Sequence, residues 1–469
     1  MTEMPFELKL LWTDSLIFIL IGFIVVFIVY TLRHEHLRVP WRQVALRPMA
    51  MASLVVLCIY VVIGLMDSIH YRPLQRSQNS GVAVYSNEVL SLLDKVAMPL
   101  RARTEKTYSA PFAMQAFTKE TVEKPDGGLA REYPRLLFGG AHLKDEGARA
   151  GDIASRAGAA TLAALGCWLL LVGSFLLFWR KPGEPFIQAA RRLVRGEGDF
   201  PWRTVLITVG TLLVLAANAG HLSLYYHILG TDQAGQDVFY KSLKSIRTGL
   251  VIGTVTTLVM LPFAALFGIM AGYFRGWVDD IIQYVYTTLS SIPGVLLIAA
   301  AILSLQLYIE TNPDSFTSTT ERADTRLLFL CMILGVTSWT SLCRLLRGET
   351  LKLREVDYIQ AALALGSSHI SVMARHVLPN VMHIILITVV LDFSGLVLAE
   401  AVLSYVGVGV DPTMNSWGNM IVSARLEMAR EPIVWWSLTT AFVFMFALVL
   451  AANLFSDAVR DAFDPRLRK

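Results

Sequence analysis

Few side chains in this 469-residue chain are placed where they could do chemistry. Asp392 lies near the middle of an apolar run, where a charge costs about 2.5–3.5 kcal/mol and must face protein or water rather than lipid. It is either a carboxylate lining or gating a pathway, or a hydrogen-bonded packing residue against a second subunit. Gln283, Thr287, Ser290 and Ser291 recur at helical spacing in QYVYTTLSSIP. Such a polar stripe either lines a water-accessible path or bridges neighbouring helices, and Pro293 behind it predicts a kink. His369, His376 and His383 fall seven apart, but Pro379 interrupts the period, and no metal site is expected. The cysteines all fall in apolar runs without CxxC spacing and read as packing residues. No GxxxxGK[ST] loop occurs, so the backbone cradle for a nucleotide phosphate is missing. No catalytic constellation emerges, and no enzyme activity or bound cofactor is expected.

The elements that must position these residues are membrane helices. The chain is 54% hydrophobic and 17% charged, against about 25% charged residues in soluble domains. Its apolar residues gather in runs of roughly 18–25, long enough to cross a hydrocarbon core. The alternation of barrel strands is absent, which leaves an all-α polytopic protein. About nine spans are predicted, near 15–32, 48–66, 157–179, 203–222, 247–271, 280–304, 326–345, 381–403 and 433–455. The first is too long for a signal-peptide core and is read as retained. Lys and Arg gather in 33–47, 180–202, 346–380 and the tail, which places these regions in the cytoplasm, the N-terminus outside and the C-terminus inside. The net charge of +4 carries no signal for nucleic acid.

A Pro-, Gly- and charge-rich loop at 180–202 sets a boundary near residue 200. It divides an N-terminal accessory region of about three spans (1–200) from a core of about six (201–469). Within the first, residues near 67–156 form a long outer segment. Val89, Leu92, Leu93, Val96 and Leu100 predict a helix there with Ser86 as its cap, and Pro125-Asp-Gly-Gly marks a turn.

Between two apolar stretches, residues near 347–380 form a polar hairpin. Asp357 to Leu365 are good helix formers, with Ala361 and Ala362 giving a thin surface that a partner backbone can approach. Gly366 breaks the helix as a C-cap. A second stretch, His369 to His376, carries Ile370, Met373 and Val377 on one side, and Pro379 with Asn380 ends it. A segment with no buried face of its own, tethered on both sides, suits a rigid handle gripped by another protein.

Its spacing resembles the cytoplasmic coupling loop of ABC-importer permeases. Gln360-Ala361-Ala362 is followed after three residues by Gly366 and, after nine more, by His376-Val377-Leu378-Pro379. Gln and His at the positions of the family's Glu and Ile are similar to the dipeptide and oligopeptide branch. The stretches GTDQAGQDV from Gly230, EAVLSYVGVG from Glu400 with Ser416-Trp417-Gly418, and NLFSDAVRDAFDP from Asn453 resemble the C-type permease subunit of that branch. The resemblance covers about residues 228–469 and leaves the first 200 unassigned.

The resemblance implies a type I importer core and half of a translocation pathway, for short peptides, with nickel, glutathione or another small solute as alternatives. It implies a B-type permease partner, two ABC ATPase domains carrying ATP and magnesium, and an extracytoplasmic substrate-binding protein, in a bacterial inner membrane. The first helix of the hairpin would dock into the ATPase through Asp357, Tyr358, Gln360, Ala361, Ala362 and Leu365. Gly366 and Pro379 would shape it. Arg375 either pairs with ATPase carboxylates or lipid phosphate, or is a solvated residue. Asp232, Asp237 and Trp417 would sit at the outer face, either receiving the binding protein or stabilising loops. A rival of another class is an ion-coupled secondary transporter with Asp392 as proton carrier.

Overall fold

The computed structural model describes residues 6–76, 83–86, 88–123, 129–312 and 318–463. Among these, nine helices are long and apolar enough to cross a membrane. The chain opens with β1 (Phe6–Leu8), α1 (Trp12–Arg33), α2 (Glu35–Leu46) and α3 (Pro48–Ser68). The outer segment carries β2 (His70–Arg76), β3 (Ala83–Tyr85), β4 (Leu90–Ser91), α4 (Leu92–Val96), α5 (Met98–Ala102), β5 (Glu120–Glu123) and β6 (Leu129–Glu132). There follow α6 (Arg149–Trp179), α7 (Phe186–Arg195), α8 (Trp202–Ser223), α9 (Val238–Phe274), α10 (Trp277–Ser291) and α11 (Gly294–Thr311). The last elements are α12 (Thr319–Arg354), α13 (Asp357–Ala364), α14 (His369–Val372), α15 (Leu378–Val406), α16 (Trp417–Glu427) and α17 (Trp436–Phe463).

The outer segment is folded, and partly as sheet rather than helix. β2 pairs antiparallel with β1, β3 and β4, and β5 with β6 in register Glu120↔Glu132. Pairing of Leu90 and Ser91 with β2 delays the predicted helix to Leu92. Its cap is therefore Ser91, not Ser86. Ser91 Oγ accepts from Asp94 N at 3.1 Å and Asp94 Oδ2 accepts from Ser91 N at 2.9 Å, a reciprocal capping box. Pro99, in the first turn of α5, separates α5 from α4. The predicted turn at Pro125 lies outside the described residues.

The span predicted at 280–304 is two helices. Pro293 supplies no N–H and holds Ile292 extended (φ −84°, ψ 129°), so α10 ends and α11 begins anew. The kink is thus a break. The core sits where α9 packs along α12. Gly268 and Gly272 let the backbones touch: a Cβ on them would stand 2.8 Å from Cys343 O and 2.6 Å from Arg347 O. The apolar faces of α1, α6 and α8 are largely exposed, as lipid-facing helices require.

The boundary near residue 200 falls inside a packed unit. α6, α7 and α8 share a cluster of Leu176, Ala189 and Leu193 with Trp179, Trp202 and Leu206. The first three helices pack against the main bundle, α1 through Leu16 and Ile17, α2 through Val44, and α3 where Tyr60 Oη donates to Phe444 O at 2.9 Å. The basic regions gather at one end: Arg47 Nη1 lies 2.7 Å from Asp461 and Arg42 Nη2 3.8 Å from Asp199.

Candidate functional site

The hairpin is built by local rules. Asp357 sits in the first turn of α13, where a carboxylate suits free amides. Gln360 Nε2 donates to Arg354 O at 2.8 Å, satisfying an orphan carbonyl at the end of α12. Gly366 adopts φ 81°, a left-handed value that favours glycine. It closes α13 with Gly366 N on Leu363 O (2.9 Å) and Ser367 N on Ala362 O (3.0 Å). Ser368 Oγ then accepts from Ser371 N at 3.3 Å to open α14.

From His369 to Val406 the chain is helical throughout, so Pro379 does not end the second arm. Met373–Val377 form a wide π turn in which Leu378 N reaches back to Met373 O. Pro379 follows in the first turn of α15, where its missing N–H costs nothing.

The hairpin also has a buried face, contrary to the reading from sequence. Ile359, Val372 and Val377 are fully buried against Trp339, Leu342 and Leu346. The second arm buries Val372 and Val377, while Ile370 points outward, 74% exposed. Asn380 Nδ2 donates to Tyr358 Oη at 3.0 Å and ties the arms together. His369 Nδ1 lies 2.9 Å from Tyr273 Oη, and Arg275 pairs with Glu355. This anchoring leaves Asp357, Tyr358, Gln360, Ala361, Leu365 and Arg375 exposed on one end of the bundle, with Ala362 half-buried. Leu365 is 87% exposed, the most exposed large apolar side chain of α13 and its cap.

The polar stripe lies on α10. Gln283 is half-buried, and Thr287, Ser290 and Ser291 are exposed. Ser290 Oγ accepts from Arg344 Nη2 at 3.2 Å, and Ser291 Oγ donates to Thr288 O at 2.7 Å. Asp392, on α15, shares no hydrogen bond with the stripe. It is half-buried and has no hydrogen-bond or ion partner among the described residues.

At the opposite end, Asp232 Oδ1 accepts from Ala234 N and Gln236 N, both at 2.9 Å, and Oδ2 meets Lys241 Nζ at 2.6 Å. Asp237 caps α9 through Phe239 N (2.9 Å) and Tyr240 N (3.2 Å), and its Oδ2 lies 2.7 Å from His227 Nδ1. Trp417 is 1% exposed, packed over Gly249 and edge-on to Tyr60. Its ring is a core element and is not available at the surface.

The profile of the binding-protein-dependent transport system inner membrane component matches residues 264–469. The chain is similar to a glutathione transport system permease protein of Pectobacterium atrosepticum: 31% identical over 242 residues, 52% of this chain and 73% of the relative. It is similar to the oligopeptide transport system permease protein of Mycobacterium tuberculosis, 32% identical over 242 residues, 52% of this chain and 77% of the relative. For the oligopeptide transport system permease protein of Haemophilus influenzae, identity is 28% over 244 residues, covering 52% and 71%. The chain belongs to the binding-protein-dependent transport system inner membrane components. It is a permease subunit of an ABC importer.

Two features of this permease escape a reading of the sequence. One is Ile359, the buried anchor of an otherwise polar helix. The other is a charge cluster that joins α1 to the matched region: Arg247, Asp14 and Asp324 are almost fully buried together with Thr13 and His70. Arg247 Nη2 donates to Thr13 Oγ1 at 2.9 Å, and His70 Nδ1 lies 2.8 Å from Asp14 Oδ2. The signal was three charges at the borders of three apolar runs, a position that elsewhere merely marks a helix end.

Proposed function

We propose that this permease forms one half of the translocation pathway of an importer for short peptides, beside a B-type permease. Two ABC ATPase domains, holding ATP and magnesium, grip the hairpin through Asp357, Tyr358, Gln360, Ala361, Ala362 and Leu365. Gly366 and Pro379 set its shape, and Arg375 faces the ATPase. An extracytoplasmic binding protein docks at the opposite end. The chain lies in a bacterial inner membrane, N-terminus outside and C-terminus cytoplasmic. Gln283, Thr287, Ser290, Ser291 and Asp392 are the polar groups offered to the pathway.

The observation that carries this reading is the mounting of α13. Its buried side is bolted to α12 by Ile359, and its outer side presents small and apolar residues to a partner. Force applied to α13 therefore moves α12 as a rigid body. Peptide as cargo is supported by the relatives' names, which cover oligopeptides and glutathione. The test is uptake of trialanine into proteoliposomes holding the complete complex. Uptake is expected to require ATP and binding protein and to survive collapse of a proton gradient. Uptake that follows the proton gradient and ignores ATP would instead favour an ion-coupled carrier.

A further inference from the structure

At the end of the bundle away from the hairpin, a cleft of about 500 Å3 opens between the 232–236 turn, the 412–416 loop and one face of α16. Asn419, Ser423 and Glu427 follow one another at four-residue spacing along that face and all line the cleft. Glu427 is only 3% exposed, and its Oε2 has no hydrogen-bond partner among the described residues. A buried carboxylate oxygen without a donor bears its full desolvation penalty, so its retention calls for an occupant. Neighbouring charges do not supply one. Lys241 is committed to Asp232 at 2.6 Å, and Arg430 is turned over the Tyr108 ring, 5.2 Å from its centroid. Burial also holds the Glu427 carboxyl above its usual range, against a hydrogen bond from the Tyr108 hydroxyl that leaves Oε2 unserved.

We infer that this cleft is a binding site for a primary ammonium group, with Glu427 as its counter-charge and Asn419, Ser423 and Ser437 as neutral oxygen partners. An ammonium carries three donors on a compact charge, which matches one free carboxylate oxygen ringed by amide and hydroxyl oxygens. A divalent cation would require several carboxylates, and here Asp232 is already neutralised. The ammonium comes either from the amino terminus of a cargo peptide or from a lysine of the docking binding protein. The inference deepens the importer reading and rests on it.

The test is local. Glu427 is labelled with a water-soluble carbodiimide in the assembled complex in lipid nanodiscs, and the mass shift of its peptide is measured. Glu427→Gln identifies the labelled carboxyl by abolishing the shift. Trialanine is expected to slow labelling at least fivefold while N-acetyl-trialanine does not, if cargo delivers the ammonium. Protection by empty binding protein, abolished when its lysines are acetylated, assigns the ammonium to the partner. Ser423→Lys, which places an ammonium one turn away, is expected to protect without any ligand. No labelling of the empty protein, or equal labelling with every ligand, overturns the site. Failure of the importer reading would appear separately, as absence of ATP-driven trialanine uptake by the unlabelled complex.

Discussion

Arg247 Nη2 lies 2.6 Å from Asp14 Oδ1, pairing the first third of α9 with the first turn of α1. Asp324, at the start of α12, stands 3.5 Å from the same nitrogen. One guanidinium thus holds three helices that are distant in sequence. Buried ion pairs rarely add much net stability, but removing one partner strands the others. Arg247→Met is expected to destabilise the chain by about 3–5 kcal/mol, since it strips Asp324 of its cation and leaves Asp14 with His70 alone. Asp14→Asn should cost less, because Arg247 keeps Asp324 and Thr13. Thermal unfolding of the two purified variants checks the ranking; equal losses would mean that the cluster does not work through Arg247.

A second buried group fastens the outer segment and gives it a pH window. His227 lies between Asp237 (2.7 Å) and Glu105 (3.4 Å, too long for a good hydrogen bond). Glu105 in turn accepts from Leu137 N, Phe138 N and Gly139 N. Burial opposes the charged imidazole, but the two carboxylates outweigh it and raise His227 to about 9. Burial likewise opposes the Glu105 carboxylate, and His227 with the three amides lowers it to about 2. The His227 contribution is complete below its unfolded value of about 6.5 and fades as pH rises toward about 9. The Glu105 contribution is complete above about 4.5 and fades as pH falls toward about 2. Amide exchange at Leu137 to Gly139 should therefore be slowest near pH 4.5–6.5, relative to intrinsic rates. His227→Gln should remove the alkaline fall and shrink the acid one, since Glu105 then keeps only the three amides.

The helices were legible because a hydrocarbon core fixes their length and apolarity, and those leave a mark on every span. The spacing around Gly366 was legible for a similar reason, since a left-handed turn after eight helical residues admits few sequences. What remained hidden depends on contacts between distant residues. Nothing near Ser91 announces that β2 will claim its neighbours, and nothing near Ile359 distinguishes a bolt from a loose apolar side chain. The break at Pro293 was foreseen only as a kink, because sequence does not say whether neighbouring helices will hold the two halves in line.

The hairpin separates shape from surface. Gly366→Pro cannot reach φ 81° and is expected to lose ATPase co-purification while remaining in the membrane. Leu365→Asp changes only an exposed side chain, so its stability should stay within about 0.5 kcal/mol. ATPase recovery on the same column should nonetheless fall at least tenfold. Normal recovery with both variants would remove α13 from the interface.

Asp392 is the last polar group to place. Its lack of a partner within the described residues argues against a packing role inside this chain, since a buried carboxylate is ordinarily retained with a donor. Asp392→Leu is therefore expected to leave the thermal stability of the isolated subunit unchanged or raised. In the assembled importer, the proposed pathway role predicts that the same variant keeps its partner subunits and loses at least tenfold in ATP-driven uptake. Asp392→Asn keeps the shape and hydrogen-bonding capacity without the charge, so it isolates the electrostatic part. If Asn restores uptake and Leu does not, the group acts as a hydrogen-bonding wall of the path. If Leu instead releases the second permease during purification, Asp392 belongs to the contact between subunits and the pathway reading fails.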